Sequence, residues 1–244
     1  MLDGMDERLA AVKRGFTDVL DLGCYDGAFA PRPGARIARV DPGFAFARAC
    51  GGVQADEDRL PFRAGAFDLV VSAGVLDQVD DLPGALTLAR RVLRPDGLFL
   101  AALVGGGSFP QLRAALREAE RDRPAARTHP QVDVRSAGDL LVRAGFTLPV
   151  ADVETLNVGY PDLWRLLADL RGMAATNVLT DRRPIGRAAL DRAASVFADA
   201  AGPDGRTRER IDIVFLTGWA PDASQPSPAR RGSATASLAA ALKR

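Results

Sequence analysis

Along the N-terminal half of the chain, short unbroken apolar runs alternate with segments whose apolar positions recur every three or four residues, and Gly, Pro or Asp separates one from the next. Residues 17–22 (TDVLDL) read as a strand that runs into Gly23 and a glycine-containing turn, the start of a βα unit, preceded by a short helix over 6–13. Residues 36–40 end at Asp41-Pro42 and lead into a helix over 44–50, which makes a second unit of the same kind. A short third strand, 53–55, stops at Asp56. FDLVVS at 67–72 is apolar without alternation, as in a parallel strand buried on both faces. Its helix spans 82–93, where Leu82, Ala85, Leu86, Ala89, Val92 and Leu93 share one face, and Pro95-Asp96-Gly97 turns the chain into a fifth strand, 98–104.

Beyond Gly105 the helical pattern dominates. Helices are predicted over 109–121 and over 137–144, the latter closed by Gly145, followed by a strand over 146–153. Amphipathic helices follow over 163–173 and 187–201, then a last strand, 211–219, and a Pro/Ser/Ala-rich tail from 222 that reads as poorly ordered. The chain thus divides into an N-terminal helix (1–16), an α/β core (17–105), the rest of the sheet with a helical addition (106–220) and a flexible tail (221–244). Alternating strands and helices predict a doubly wound parallel sheet, and such sheets bind ligands at the carboxyl ends of their strands, where the winding changes direction. That rule selects 21–27, Asp41, Asp56 and 72–74.

Composition narrows the chemistry. A chain of 244 residues, 47% hydrophobic, builds a core without staples, and its two cysteines, Cys24 and Cys50, exclude a disulfide scaffold and a cysteine-cluster zinc site. The one histidine, His129, excludes a multi-histidine metal site. With 32 basic against 31 acidic residues, no broad field for nucleic acid exists; all the basic residues but Lys13 and Lys243 are arginine. No apolar run approaches the about 18 residues of a transmembrane span, and the N-terminus lacks the apolar stretch of a signal peptide, so a cytoplasmic location is expected.

Three acids occupy three successive strand ends: Asp21, Asp41 and Asp56. A carboxylate at the end of the second strand suits both hydroxyls of a ribose, and Asp56 is then placed to accept from an adenine amino group; the alternative is that these residues cap turns and helix starts. Gly23 and Gly27 bracket the first turn, but GCYDG puts Tyr25 where a dinucleotide fingerprint has its second glycine, so a phosphate cradle is poorly supported. Asp21, ahead of the first glycine, suits a ligand with a cationic end.

DVLDLGCYDG (18–27), Asp41, ADEDRLPF (55–62), FDLVVSAGVLDQVDDLP (67–83) and RVLRPDGLF (91–99) together resemble the ordered motifs of class I S-adenosylmethionine-dependent methyltransferases. The resemblance implies a Rossmann-like sheet of seven strands with the last pair antiparallel, a helical insertion before the last strand, and S-adenosylmethionine as cofactor. It also implies roles. Asp21, Gly23, Cys24, Tyr25 and Gly27 would hold the methionine part, Asp41 with Pro42 the ribose, Asp56 and Glu57 the adenine, and Ser72, Ala73 and Gly74 would line the floor under the sulfonium. GGGSFPQLRAALREAE (105–120), SAGDLLVRAGF (136–146), NVGYPDLWRLLADLRGMAATN (157–177), IVFLTGWAP (213–221) and PARRGSATASL (228–238) are similar to the branch containing the mitochondrial complex I assembly factor and its bacterial relatives. That branch implies arginine hydroxylation on a complex I subunit as an alternative to methyl transfer, a non-catalytic assembly role as a further one, and a site peripheral to the inner membrane. The malonyl-carrier-protein methyltransferases are similar at a greater distance and imply a carrier-protein or small-molecule acceptor.

Some candidates remain outside those motifs. Tyr25 either points away or lies over the cofactor against the sulfonium. Only 17 residues precede the first strand motif, fewer than the family pattern implies, so either a helix that lids the cofactor is missing or the start is misassigned. Asp77, a general-base candidate, reads more simply as an exposed helix-start residue, and His129 as a solvated loop residue. Tyr160 and Trp164, four apart, suit either one wall of a substrate cavity or ordinary helix packing; Arg171, Arg182 and Arg183 suit an acidic partner or a solvated face. Cys24 reads as a packing residue. Methyl transfer needs alignment more than a base, whereas hydroxylation by oxygen needs a redox centre, and the sequence shows no two-histidine-one-carboxylate set.

Overall fold

A computed structural model describes residues 1–31 and 33–226. Seven strands form one sheet in the order β3-β2-β1-β4-β5-β7-β6. They are β1 (Asp18–Leu22), β2 (Arg36–Asp41), β3 (Val53–Gln54), β4 (Phe67–Ala73), β5 (Leu93–Val104), β6 (Thr147–Tyr160) and β7 (Thr207–Trp219). β1 to β5 are parallel, while β7 runs antiparallel to both β5 and β6. The chain winds outward from β1 to β3 and then returns to β4 on the other side of β1, so the switch point lies between β1 and β4.

Alternation along the strands sorts the core into two layers. On one face Leu20, Leu22, Val70, Phe99, Ala101 and Leu103 pack against α3 (Leu82–Val92) and α5 (Val134–Arg143). On the other, Val19, Leu69, Val71, Leu98, Leu100 and Phe215 meet Met5 of α1 (Leu2–Ala11). No helix joins β1 to β2. Pro31, Pro33 and three positive-φ glycines break that segment, and Phe29 plugs the face in a helix's place, so the βα start read from the sequence is a strand followed by a loop. A short α2 (Phe44–Ala49) lies between β2 and β3.

α4 (Pro110–Ala119), α6 (Leu163–Gly172) and α7 (Arg187–Asp199) form a separate cluster, with Phe109, Leu112, Ala115, Leu163, Leu166, Ala193 and Phe197 inside. Its join to the sheet is Glu209 of β7, fully buried, whose carboxylate accepts from the Gln111 and Leu112 amides and so caps α4 from another element. Without that carboxylate the first turn of α4 would bury two unpaired donors.

Several boundaries differ from the sequence reading. β6 continues past 153 to Tyr160, because it pairs with β7 over its whole length. β5 begins at Leu93, and Pro95-Asp96-Gly97 is an irregularity inside it, with Asp96 at φ 58 donating its amide to Ala220. Part of the tail expected to be flexible is tied down: Gln225 donates to Asp96 and Ala220 and accepts from Thr147. The tail from 227 onward lies outside the described residues.

Candidate functional site

The parallel register sets Asp21 beside Arg39 at the carboxyl ends of β1 and β2, one residue before Val40 and two before Asp41. Asp21 is 4% exposed; its Oδ2 lies 3.6 Å from Arg39 Nε, too far for a hydrogen bond. Burial pushes its pKa up to about 6, partly opposed by Arg39 and reinforced by Asp41. Asp41 is also buried. Its Oδ2 accepts from the Tyr25 amide and its Oδ1 from the Gly43 amide, each at 2.8 Å, so the carboxylate is clamped in place with one further acceptor direction on each oxygen.

The first turn is shaped by what it touches. Its Gly23 and Cys24 amides donate to the Val40 carbonyl, which leaves them turned away from any anion. Gly23 has φ 77, and a Cβ there would lie 2.3 Å from Val75 Cγ1, so only glycine allows the turn to close on the connection after β4. Tyr25 holds φ 45 without being glycine. Its ring packs on Phe46 at 4.6 Å between centroids, and its hydroxyl donates at 2.6 Å to the Gly172 carbonyl at the end of α6. Cys24 is buried, which pushes its thiol up to about 12 and fits the packing role read for it. Gly27 sits at φ 70 against Cys50.

Pro42 is exposed and accepts from Gln54 through its carbonyl. Asp56 is exposed as well; the buried acid of that pair is Glu57, 4% exposed, pushed up to about 7 by burial with Asp41, Asp56 and Asp58 adding. At the end of β4, Ser72 is fully buried, and Ala73 and Gly74 continue the strand end, with the Gly74 amide donating to Ala102. Met1 Sδ lies 3.4 Å from where a Gly74 Cβ would stand, so the start of α1 reaches this floor.

Among the described residues, six buried side-chain polar atoms have no hydrogen-bond partner, and four are oxygens at these strand ends or in the loops just beyond them: Asp21 Oδ2, Glu57 Oε1, Ser72 Oγ and Asp77 Oδ1. A fifth, Arg39 Nε, adjoins Asp21. Orphaned buried groups of this kind cost about 1–3 kcal/mol each, and acceptors gathered in one place are satisfied by a donor-rich ligand. An ammonium, a ribose diol and an aromatic amine are such donors, so the residues present fit S-adenosylmethionine.

Four residues stand elsewhere than the sequence suggested. Asp77 is not at a helix start: α3 is capped by Asp81, and Asp77 turns inward, its pKa raised to about 6 by burial. His129 is half-buried, and its Nε2 accepts from the Val178 amide at 3.1 Å. Tyr160 belongs to β6 and is buried in the α4–α6–α7 cluster, whereas Trp164 is 48% exposed, so the two form no common wall. Arg182 and Arg183, with Arg127, Asn177, Pro184 and Ile185, line an open cavity of about 360 Å³ on the helical insertion. The trans-cap Glu209 and the acid partner Arg39 gave no signal beyond ordinary strand alternation.

Residues 20–101 match the family described as a methyltransferase domain. The malonyl-[acyl-carrier protein] O-methyltransferase of Methylovorus sp. is 30% identical, with 92% of this chain and 82% of that protein covered. This chain belongs to the class I S-adenosylmethionine-dependent methyltransferases, and S-adenosylmethionine is the cofactor of that family. It is also 38% identical to the mitochondrial arginine-hydroxylase NDUFAF5 of Danio rerio over 77% of its length, and 38% identical to the human protein over 76%. The chain spans 60% and 55% of the lengths of those two relatives. The YcgJ protein of Bacillus subtilis shares the fold, with a TM-score of 0.63 at 15% identity over 91% of this chain and 100% of that one. So does phosphoethanolamine N-methyltransferase 2 of Haemonchus contortus, solved with S-adenosyl-L-methionine, at TM-score 0.51, 17% identity, 91% of this chain and 52% of that one. No helix among the described residues is long and apolar enough to cross a membrane.

Proposed function

We propose that the protein transfers a methyl group from S-adenosylmethionine to an acceptor that approaches from the side of the helical insertion. The observation that carries this reading is the set of buried, unpartnered oxygens at the ends of β1 and β4 and in the loop after β3. Bound S-adenosylmethionine supplies an already activated methyl on a sulfonium, so the chain's work is binding, alignment and exclusion of water. Asp41, held by two backbone amides, accepts the ribose hydroxyls through its remaining lone pairs. Asp21 accepts the ammonium, which draws it back to its ionised form; Asp56 and Glu57 serve the adenine amine. Gly23, Cys24, Tyr25 and Gly27 shape the wall, Pro42 directs the chain away from the ribose, and Ser72, Ala73 and Gly74 form the floor.

The acceptor class follows from charge. Segments 113–127 and 165–192 hold eleven arginines against six carboxylates, an excess of positive charge suited to an acidic acceptor surface such as a carrier protein. A second reading, hydroxylation of an arginine on a complex I subunit, is favoured by the identity with NDUFAF5 and by the free Oδ1 of the Asp77 carboxylate, which suits a guanidinium. Calorimetry with S-adenosylmethionine tests the cofactor reading, and undetectable binding at millimolar ligand would sink it. Product mass separates the chemistries: methylation adds a CH₂ equivalent to the acceptor and hydroxylation an oxygen. Binding with no product from any acceptor favours a non-catalytic assembly role.

A further inference from the structure

The segment that leaves α6 is pinned at both ends by side chains, and one of the two pins comes from the turn that carries the proposed cofactor wall. At one end the Tyr25 hydroxyl, from the turn after β1, holds the Gly172 carbonyl. At the other, the Val178 amide donates to His129 Nε2. His129 lies close enough to Asp80, in the connection from β4 to α3, for that carboxylate to favour its protonated form. One end therefore rests on the loop after β1, and the other on a histidine within electrostatic reach of the connection after β4.

Between the pins the chain is strained and locally tied. Ala174 takes φ 56, a left-handed conformation that costs a residue with a Cβ about 1 kcal/mol, while the Ala175 amide closes α6 on Leu170. Asn177 donates to the Ala126 carbonyl and accepts from the Leu179 amide. Met173 and Val178 are about half exposed, so little burial holds the segment down. Few apolar contacts, backbone strain and a handful of hydrogen bonds are the properties of a segment that opens locally at low cost.

We propose that residues 172–178 form a strap over the cofactor cleft, latched by Tyr25 and His129, whose opening controls cofactor exchange. This rests on the cleft being the S-adenosylmethionine site. It gives the one histidine a role that requires its neutral form, since only an unprotonated Nε2 accepts the Val178 amide. Burial lowers the His129 pKa, so the latch is complete above the ordinary histidine range and is lost as pH falls through the lowered value. The charged groups around it are Asp80 from the β4–α3 connection, Arg127 with its partner Glu120 from its own loop, and Arg182, which donates to the Asn177 carbonyl.

Hydrogen exchange of the full, ligand-free chain reads the strap directly. Tyr25→Phe keeps the ring and removes the latch; His129→Ala removes the other; His129→Gln keeps an acceptor that does not titrate. Exchange over 173–178, corrected for intrinsic rates, is expected to rise about three- to ten-fold in Tyr25→Phe and His129→Ala, the effect of losing one hydrogen bond. In wild type it is expected to rise as pH falls below about 6.5, and in His129→Gln to stay flat. Release of S-adenosylhomocysteine, followed by stopped flow, is expected to speed up in parallel. Unchanged exchange in both latch variants overturns the strap, and faster exchange with an unchanged release rate overturns its control of the cofactor. A chain that binds no S-adenosylhomocysteine defeats the cofactor reading and this role with it, whatever the exchange shows.

Discussion

The sheet half and the helical insertion are built by opposite uses of charge. At the carboxyl ends of β1 and β2 and in the loop after β3, Asp21, Asp41 and Glu57 point inward and stay buried, Arg39 lies beside Asp21, and Asp21 and Glu57 are held well above their ordinary pKa. In α4, α6 and α7 the inward positions are Leu, Ala and Phe, and the arginines face water. Stability unspent on one side becomes ligand affinity: a buried acceptor left without a donor is a cost that a bound donor removes, as the cofactor would in the proposed site. An exposed arginine carries no such stored cost and acts instead on encounter with a charged partner.

The largest effect that would break this contrast is expected at Asp41. If Asp41 holds the ribose as proposed, Asp41→Ala removes two charge-assisted bonds, each about 1.5–3 kcal/mol, so calorimetry should show S-adenosylmethionine binding weakened about 100-fold or more. Affinity equal to wild type would mean that the ribose sits elsewhere and the acids are structural.

Next in size is Glu209, which belongs to both halves. Glu209→Ala leaves the Gln111 and Leu112 amides of α4 unpaired in a buried position, and denaturant unfolding should show a loss of about 2–4 kcal/mol. Cofactor affinity, measured where the variant is folded, should change by less than about three-fold, the additivity expected of distant sites. A parallel loss of affinity would show that the insertion and the cofactor floor act as one unit.

The same contrast explains what could be read from the sequence. The parallel sheet was legible because buried strands need unbroken apolar runs, and the acid positions because a strand must end somewhere: LDL, RVD and VQAD put Asp21, Asp41 and Asp56 at those ends. Which acid of Asp56-Glu57 turns inward was not legible, since the chain has left the strand there and alternation no longer applies. Nor was the fate of Asp77, His129 or Tyr160. Asp77 is buried by the end of β5, His129 is fixed by a backbone amide of a segment 49 positions away, and Tyr160 is drawn into a strand by its pairing with Thr207. Each is set by a distant partner, which local spacing does not encode.

A pH titration sharpens the contrast at a smaller scale. Asp21 and Glu57 carry extra protons in the folded state between their ordinary values, about 4, and their raised values of about 6 and about 7, so ligand-free stability should fall as pH rises through that interval. Asp77, raised to about 6, acts in the same direction, and His129, lowered by burial, pulls the other way, but as a single group against three. Thermal unfolding without ligand should therefore show a lower midpoint at about pH 8 than at about pH 5.5, and Glu57→Gln should flatten the slope. With S-adenosylmethionine the order reverses, because an ammonium prefers the ionised Asp21. A Glu57→Gln profile that matched wild type would place the proton uptake elsewhere.

The smallest effect belongs to the arginine face. Arg183 borders the open cavity on the insertion and is not one of the proposed cofactor ligands, so Arg183→Glu should leave S-adenosylmethionine affinity as it is. With an acidic carrier protein as acceptor, the charge reversal should raise KM by about three- to ten-fold at low salt, and the difference should fade by about 0.5 M salt as screening shortens to a few ångströms. kcat should not move, since the arginine touches neither the methyl nor the cofactor. A cationic arginine-bearing acceptor gives the opposite sign, with KM lowered by the new carboxylate. The sign of that change reports the acceptor's charge before the acceptor is known, and it does so from the half of the molecule whose sequence carried the least chemical signal.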